Sequence, residues 1–150
     1  MRRLIQTGFL ILFTLAGGAA SAGDQCRYST YRATVTKVID GDTIRANVEL
    51  GFQLQVNREI FRLYGVDAPE TRGRAGRPVS AAEKARGLAA KAALKNLIGG
   101  RAITLCVVDG KRGKYGRYIA RIFIDDLDVN EWLVDQGHAI PYGEVSAALN

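Results

Sequence analysis

Histidine is nearly missing from this sequence: among 150 residues there is one, His138. A zinc cage of histidine and cysteine, or any mechanism that needs two imidazoles, is therefore out of reach. A serine–histidine–aspartate arrangement would need His138 beside one of few serines, none of them in a nucleophile-elbow context. A lone histidine after a helix more often packs or faces water. Cysteine is nearly as scarce, with Cys26 and Cys106 alone. No internal repeat, linker or low-complexity run interrupts the chain. The longest apolar run, "GFLILFTLAGGAA", is too short to span a bilayer. What remains for chemistry is carboxylates, arginines, lysines and tyrosines. Those groups suit a hard, oxygen-loving cation and a phosphate.

That apolar run follows the basic start "MRR" and ends in the small-residue pattern "ASA" at 20–22. This is the layout of a secretory signal, so residues 1–22 are expected to be a leader and 23–150 one folded domain. Asp24 and Gln25 stand where a lipid-anchor signal wants small residues, which favours simple export, secreted or periplasmic, with no membrane attachment after cleavage. The 128 residues left are enough for one core and too few for two. The leader carries two of the positive charges and no acid, so the net +6 becomes +4. A modest basic balance suits a polyanion without identifying one. In an oxidising compartment two cysteines read as a disulfide, Cys26 to Cys106, and the alternative is two reduced thiols. The bridge would enclose 79 residues and add about 4 kcal/mol on the loop-entropy account.

Alternation and punctuation set out the elements. "RATVTKVI", "TIRANVEL" and "FQLQV…REIFRLYGV" predict a meander of three strands, broken at "DGD" and with Gly51 or Asn57 bending the second. Within 61–66, Phe61, Leu63 and Gly65 would face one way and Arg62, Tyr64 and Val66 the other. "TRGRAGRP" is a basic, glycine-rich loop. "VSAAEKARGLAAKAALKNLI" (79–98) predicts a helix, with Ser80 as cap, Glu83 three residues on and Gly99-Gly100 at its end. Its larger apolar groups are Val79, Leu88, Leu94, Leu97 and Ile98. "AITLCVV" and "YIARIFI" are two more strands, and "DVNEWLVDQG" a short helix capped by Asp128 or Asn130. Three strands, a helix, two strands and a helix is the order of a five-stranded OB barrel, mainly β with α. An open α+β sheet is the alternative.

Two carboxylates end the third strand. In "FRLYGVDAPETR" (61–72) Pro69 stops the strand and leaves Asp67 and Glu70 at its tip, with Arg62 behind them. Such a tip is either a polar loop or half of a metal site. "DGD" at 40–42 is first of all an ordinary hairpin turn, and it is no EF-hand, since Ile44 and Arg45 occupy positions where that loop needs an oxygen ligand and glycine. "GKYGR" (113–117) is a basic turn that also offers a guanidinium, an ammonium and a phenol to a phosphate and a stacked base.

Taken in order, "VIDGDT", "FRLYGVDAPET", "KYGR" and "VNEWLVDQG" resemble the successive motifs of the thermonuclease family, the staphylococcal-nuclease-like phosphodiesterases. The likeness covers residues 34–142. It implies an OB barrel with helices and a Ca²⁺-dependent hydrolase that cuts DNA and RNA at the P–O5′ bond, leaving 3′-phosphates. It further implies that Asp42 and Asp67 are ligands of one calcium ion, joined by the Ala68 carbonyl. Glu70 would handle the attacking water, and Arg62 and Arg117 would grip the scissile phosphate. Lys114 and Tyr115 would line the nucleotide pocket, and Tyr142 would take the place of a stacking tyrosine. The partners implied are single-stranded or locally opened DNA and RNA, and the protein is expected to be a monomer.

The residue chemistry agrees with those roles. Two aspartates, a carbonyl and waters make a flexible oxygen site that suits Ca²⁺ better than the stricter Mg²⁺. Planar guanidiniums match phosphate oxygens as a lysine cannot. The sequence departs from the family pattern in the short loop after Thr71 and in an expected shortened C-terminus. Two rivals stand against the enzyme: an OB module that binds oligonucleotides without cutting, and a structural exported protein. The first leaves Glu70 and the Asp42–Asp67 pair without a purpose, because carboxylates facing a polyanion are costly without a metal. The second leaves Arg62 and Arg117 without one.

Overall fold

The computed structural model describes residues 29–143. The expected leader at 1–22 and Cys26 lie outside that range.

Strands β1 (Ser29–Asp40), β2 (Thr43–Gly51) and β3 (Leu54–Leu63) form the antiparallel meander. Period-two alternation turns Ile44, Ala46 and Val48 of β2 inward. In β1 the buried set runs Ala33, Val35 and then Val38, because a register shift after Val35 inserts one residue and changes the face. The remaining long strands, β5 (Ala102–Arg112) and β6 (Tyr118–Ile124), bury Ile103, Leu105, Val107, Ala120, Ile122 and Ile124. The sheet order β3-β2-β1-β5-β6 closes through a parallel β3–β6 pairing, giving the five-stranded OB barrel. At that seam Arg112 pairs with Glu59 at 2.8 Å and lies 4.7 Å over the Tyr118 ring, which stacks on Phe61.

Helix α1 (Ala81–Ile98) lies against β1. Ser80 caps it, accepting the Glu83 N–H at 3.1 Å. Its buried stripe is Gly87, Ala90, Leu94 and Ile98, spaced by three or four residues as one helix face requires. Leu88, one of the large apolar groups read from the sequence, is half exposed, and the small Gly87 and Ala90 make the contact in its stead. Burying a leucine or isoleucine is worth roughly 1.5–3 kcal/mol, so Leu94 and Ile98 anchor the helix and the small residues set how closely it approaches.

Two details differ from the sequence reading. Gly51 does not bend the second strand; with Phe52 and Gln53, all at positive φ, it makes the turn between β2 and β3. The bend near Asn57 falls in the third strand, where Arg58 adopts φ 62° and donates its N–H to the Asn47 side chain. The run 61–66 is also not one strand. It breaks at Tyr64–Gly65, Gly65 having φ 72°, and resumes as the two-residue β4 (Val66–Asp67). Gly65 and Val66 are consequently both buried.

After β6 a two-residue β7 (Leu127–Asp128) leads into α2 (Val129–Asp135). Asp128 caps that helix, accepting the N–H groups of Asn130 and Glu131 at 2.8 and 3.1 Å. Buried Asn130 accepts the Ile122 N–H and donates to the Tyr64 carbonyl, tying α2 to β6 and to the break after β3. The chain then pairs β8 (Ile140–Pro141) with β4, Asp67 opposite Ile140. Cys106 is buried in β5.

Candidate active site

Asp42 sits in the two-residue turn between β1 and β2 and is 3% exposed. A carboxylate so deep must be paired. Thr43 Oγ1 donates to its Oδ1 at 2.9 Å, the Ala68 N–H to its Oδ2 at 3.0 Å, and Arg62 forms an ion pair with Oδ2. The register explains the last contact, because Thr43 of β2 lies opposite Arg62 of β3. The same guanidinium reaches Asp67 Oδ1 at 2.5 Å and the Val66 carbonyl at 3.3 Å. Arg62 therefore joins the two aspartates.

This cluster opens on a cleft of about 730 Å³. One wall carries Arg62, Asp67, Ala68 and Glu70, and the loop before β6 adds Tyr115 and Arg117. Tyr142 lines it too, held near β4 by its N–H to the Gly65 carbonyl at 2.9 Å. The loop is closed by the Gly113 N–H to the Arg117 carbonyl, and Tyr115 takes the left-handed φ of 66° that L-residues seldom adopt. There the Tyr115 ring lies 5.4 Å from the Arg117 guanidinium. Arg117 Nε is buried without a hydrogen-bond acceptor among the described residues, and a buried donor of that kind calls for a ligand, ion or water. Lys114 shares this turn, but its side chain lies outside the described part.

The sequence-derived residues thus converge: Arg62, Asp67, Ala68, Glu70, Tyr115, Arg117 and Tyr142 line one cleft, with Asp42 directly behind Arg62. His138 lines it as well, its ring 5.9 Å from that of Trp132.

Other lining residues escaped sequence reasoning. Arg74, Arg77 and Arg86 face the cleft, and Arg74 holds Glu70 at 2.9 Å. In all, five arginines line it against the carboxylates Asp67, Glu70 and Glu83. "RGRAGRP" announced a basic loop but carried no sign of where it would fold. Asp40 accepts from Thr71 Oγ1 at 2.5 Å, tying the first turn to the loop after Glu70.

Glycines set the close approach. A Cβ on Gly41 would stand 2.7 Å from that of Ala68 and 2.8 Å from that of Ala90. One on Gly87 would stand 2.5 Å from the Pro69 carbonyl oxygen and 2.8 Å from that of Glu70. Gly87 in mid-helix costs about 1 kcal/mol of helix propensity; here its bare face seats the backbone that carries Glu70.

For a metal, Asp42 and Asp67 supply hard oxygen donors that already meet at one cationic group. Among the described residues no three or more His, Cys, Asp or Glu side chains gather, so a cation there would need the Ala68 carbonyl and water besides. That donor set fits a flexible Ca²⁺ site and gives a zinc ion nothing it prefers.

Comparison with known proteins gives the family of the chain. A family model described as staphylococcal nuclease homologue matches residues 60–148. An uncharacterized protein of Methanocaldococcus jannaschii is 30% identical, the match covering 95% of this chain and 83% of that protein. An uncharacterized protein of Bacillus anthracis is also 30% identical over 74% of this chain, which spans about half (47%) of that relative's length. The matched segment takes in Arg62, Asp67, Glu70 and Arg117, and the chain belongs to the staphylococcal nuclease homologue family.

Proposed function

We propose that this cleft hydrolyses phosphodiester bonds of DNA and RNA with Ca²⁺, leaving 3′-phosphate ends. The observation that carries the reading is the meeting, in one cleft, of Arg62 and of Arg117, whose Nε is buried without an acceptor among the described residues, with Asp67 and Glu70.

Asp42, Asp67 and the Ala68 carbonyl would hold the ion, which supplies positive charge beside the scissile phosphate. The Arg62 fork, beside both aspartates, would face the phosphate from one side, and Arg117 would face it from the other. Two guanidiniums then meet charge that grows on the equatorial oxygens as the transition state forms, so they stabilise it more than the ground state. Glu70 accepts the proton of the attacking water. Water oxygen bonds to phosphorus, the P–O5′ bond breaks, and the O5′ alkoxide takes its proton from solvent water in the open cleft. Arg74 keeps the Glu70 carboxylate turned along the wall, while Tyr115 and Tyr142 offer faces for a base. Lys114 would meet a terminal phosphate.

Export through the leader at 1–22, action as a monomer and a Cys26–Cys106 bridge belong to the same proposal. The test is cleavage of single-stranded DNA and RNA with Ca²⁺, then with excess chelator, alongside Glu70→Gln. Calcium-dependent cutting that disappears in the variant supports the proposal. A folded protein that binds both polymers and cuts neither would make it an oligonucleotide-binding barrel.

A further inference from the structure

Arg62 and Arg117 answer one phosphate; three further arginines on the cleft wall do not belong to it. The loop after Thr71 folds into a tight hairpin, with the Arg74 and Arg77 backbones exchanging both hydrogen bonds at 3.0 and 2.9 Å. Its turn is Ala75–Gly76, with Gly76 at φ 76°. Directly opposed residues put their side chains on one face of such a ladder, and both arginines line the cleft. Arg86 of α1 joins them there.

Like charges directly opposed are destabilising. Arg74 is relieved by Glu70. Arg77 and Arg86 have no ion pair or side-chain hydrogen bond among the described residues. Two unanswered guanidiniums lining the cleft offer a second anion seat besides the Arg62–Arg117 pair. A cleft of about 730 Å³ has room for more than a single phosphate group.

We infer that Arg77 and Arg86 hold a neighbouring phosphate of the same strand, so that the preferred ligand is a chain of at least two phosphodiesters. This rests on the nucleic-acid reading of the cleft, though not on cleavage itself. Phosphate is what the fork reads, so DNA and RNA should profit alike.

The test is binding by the full chain in excess chelator, where nothing is cut. Fluorescent dinucleotides and tetranucleotides without terminal phosphates are compared, as DNA and as RNA. The wild type should bind the tetranucleotide at least about tenfold more tightly than the dinucleotide. In Arg77→Gln/Arg86→Gln that ratio should fall to near the statistical gain, and the salt dependence of log K should flatten by about 1.4, two contacts at about 0.7 each for a single strand. Arg77→Lys/Arg86→Lys should keep most of the gain, since charge is retained. No length gain in the wild type, or a ratio unchanged in the glutamine variant, overturns the inference. A gain confined to one sugar overturns it too, because sugar rather than phosphate would then be read. A length gain lost in the variant of a protein that never cuts would uphold this seat while removing the nuclease. Cutting with an intact gain in the variant would do the reverse.

Discussion

The molecule contains two clusters built on one plan. Arg62 lies between Asp42 and Asp67, and Arg121 between Asp128 and Glu131. Each arginine side chain is about one quarter exposed, 24% and 23%, and each joins a deep carboxylate, 5% and 9%, to an open one, 48% and 65%. An ion triad is therefore no mark of a site in itself. What differs is the surroundings. Asp128 is also the cap of α2, so its oxygens serve the fold, and the hollow beside Arg121, about 240 Å³, has one arginine against Glu131 and Asp135. Arg62 instead faces a cleft where arginines outnumber carboxylates five to three. The first triad opens on a cationic cleft, and the second serves the cap of α2.

The widest separation of the two should come from their neighbouring glutamates. Glu70→Gln should lower kcat by about 10²–10⁴-fold, the usual worth of a general base, with nucleotide affinity nearly unchanged. Glu131→Gln should leave turnover at the wild-type level. Equal loss of binding and turnover in Glu70→Gln would deny Glu70 its role and reduce the contrast to one of shape.

Next come the arginines. Lysine keeps the charge but lacks the planar fork that spans two carboxylates or grips a phosphate through paired donors. Arg62→Lys should cost about 10²–10³ in kcat, the scale of losing one donor to a transition-state oxygen. Arg121→Lys should lower stability by roughly 1 kcal/mol, a few degrees in Tm, without touching turnover. Parallel kinetics and melting curves for the two variants decide it. Matching profiles would mean that both triads are structural.

Local patterns made much of this legible in the sequence. The resemblance of four successive motifs to one family pointed to Asp42, Arg62, Asp67 and Glu70, while local pattern carried the Ser80 cap and the alternation that turns Ile44, Ala46 and Val48 inward. The break at Tyr64–Gly65 was hidden because glycine has no side chain to show that alternation has stopped. Arg74, Arg77 and Arg86 were hidden for another reason: a hairpin and a helix face bring them to the cleft, and neither direction is written in a composition. Gly87 read only as a weak helix residue. Its purpose is long-range, against Pro69 and Glu70, seventeen or eighteen positions back.

Gly87 gives a smaller but sharper probe. Alanine there must push the Pro69–Glu70 backbone away or shift α1, since 2.5 Å is far inside contact distance. We expect Gly87→Ala to lower kcat by about tenfold or more, because a displacement near 1 Å is costly to an aligned site. Helix propensity gains about 1 kcal/mol from the same change, so stability should fall less than overpacking alone predicts. Ala82→Gly, exposed on the same helix, should do the opposite: weaken the helix and leave kcat alone. A Gly87→Ala protein with normal kcat would show that the loop can retreat without moving Glu70.

The smallest effect tests whether the second cluster is as settled as it looks. Burial raises the Asp128 carboxyl above its ordinary value, and its cap bonds and Arg121 pull it back only in part. The folded carboxyl thus holds its proton better than the unfolded one. In the window between the ordinary aspartate value and the raised one, the native state binds more protons, so stability falls as pH rises and is level above it. Asn caps a helix as well as Asp. Asp128→Asn should therefore remove that acid-side slope and shift stability at neutral pH by no more than about 1 kcal/mol, read from urea midpoints across pH 3–7. A loss of about 3–5 kcal/mol, the cost of stripping a partner from a buried pair, would mean that Arg121 depends on Asp128 as Arg62 does on Asp42. The two clusters would then differ only in which of them opens on the cleft.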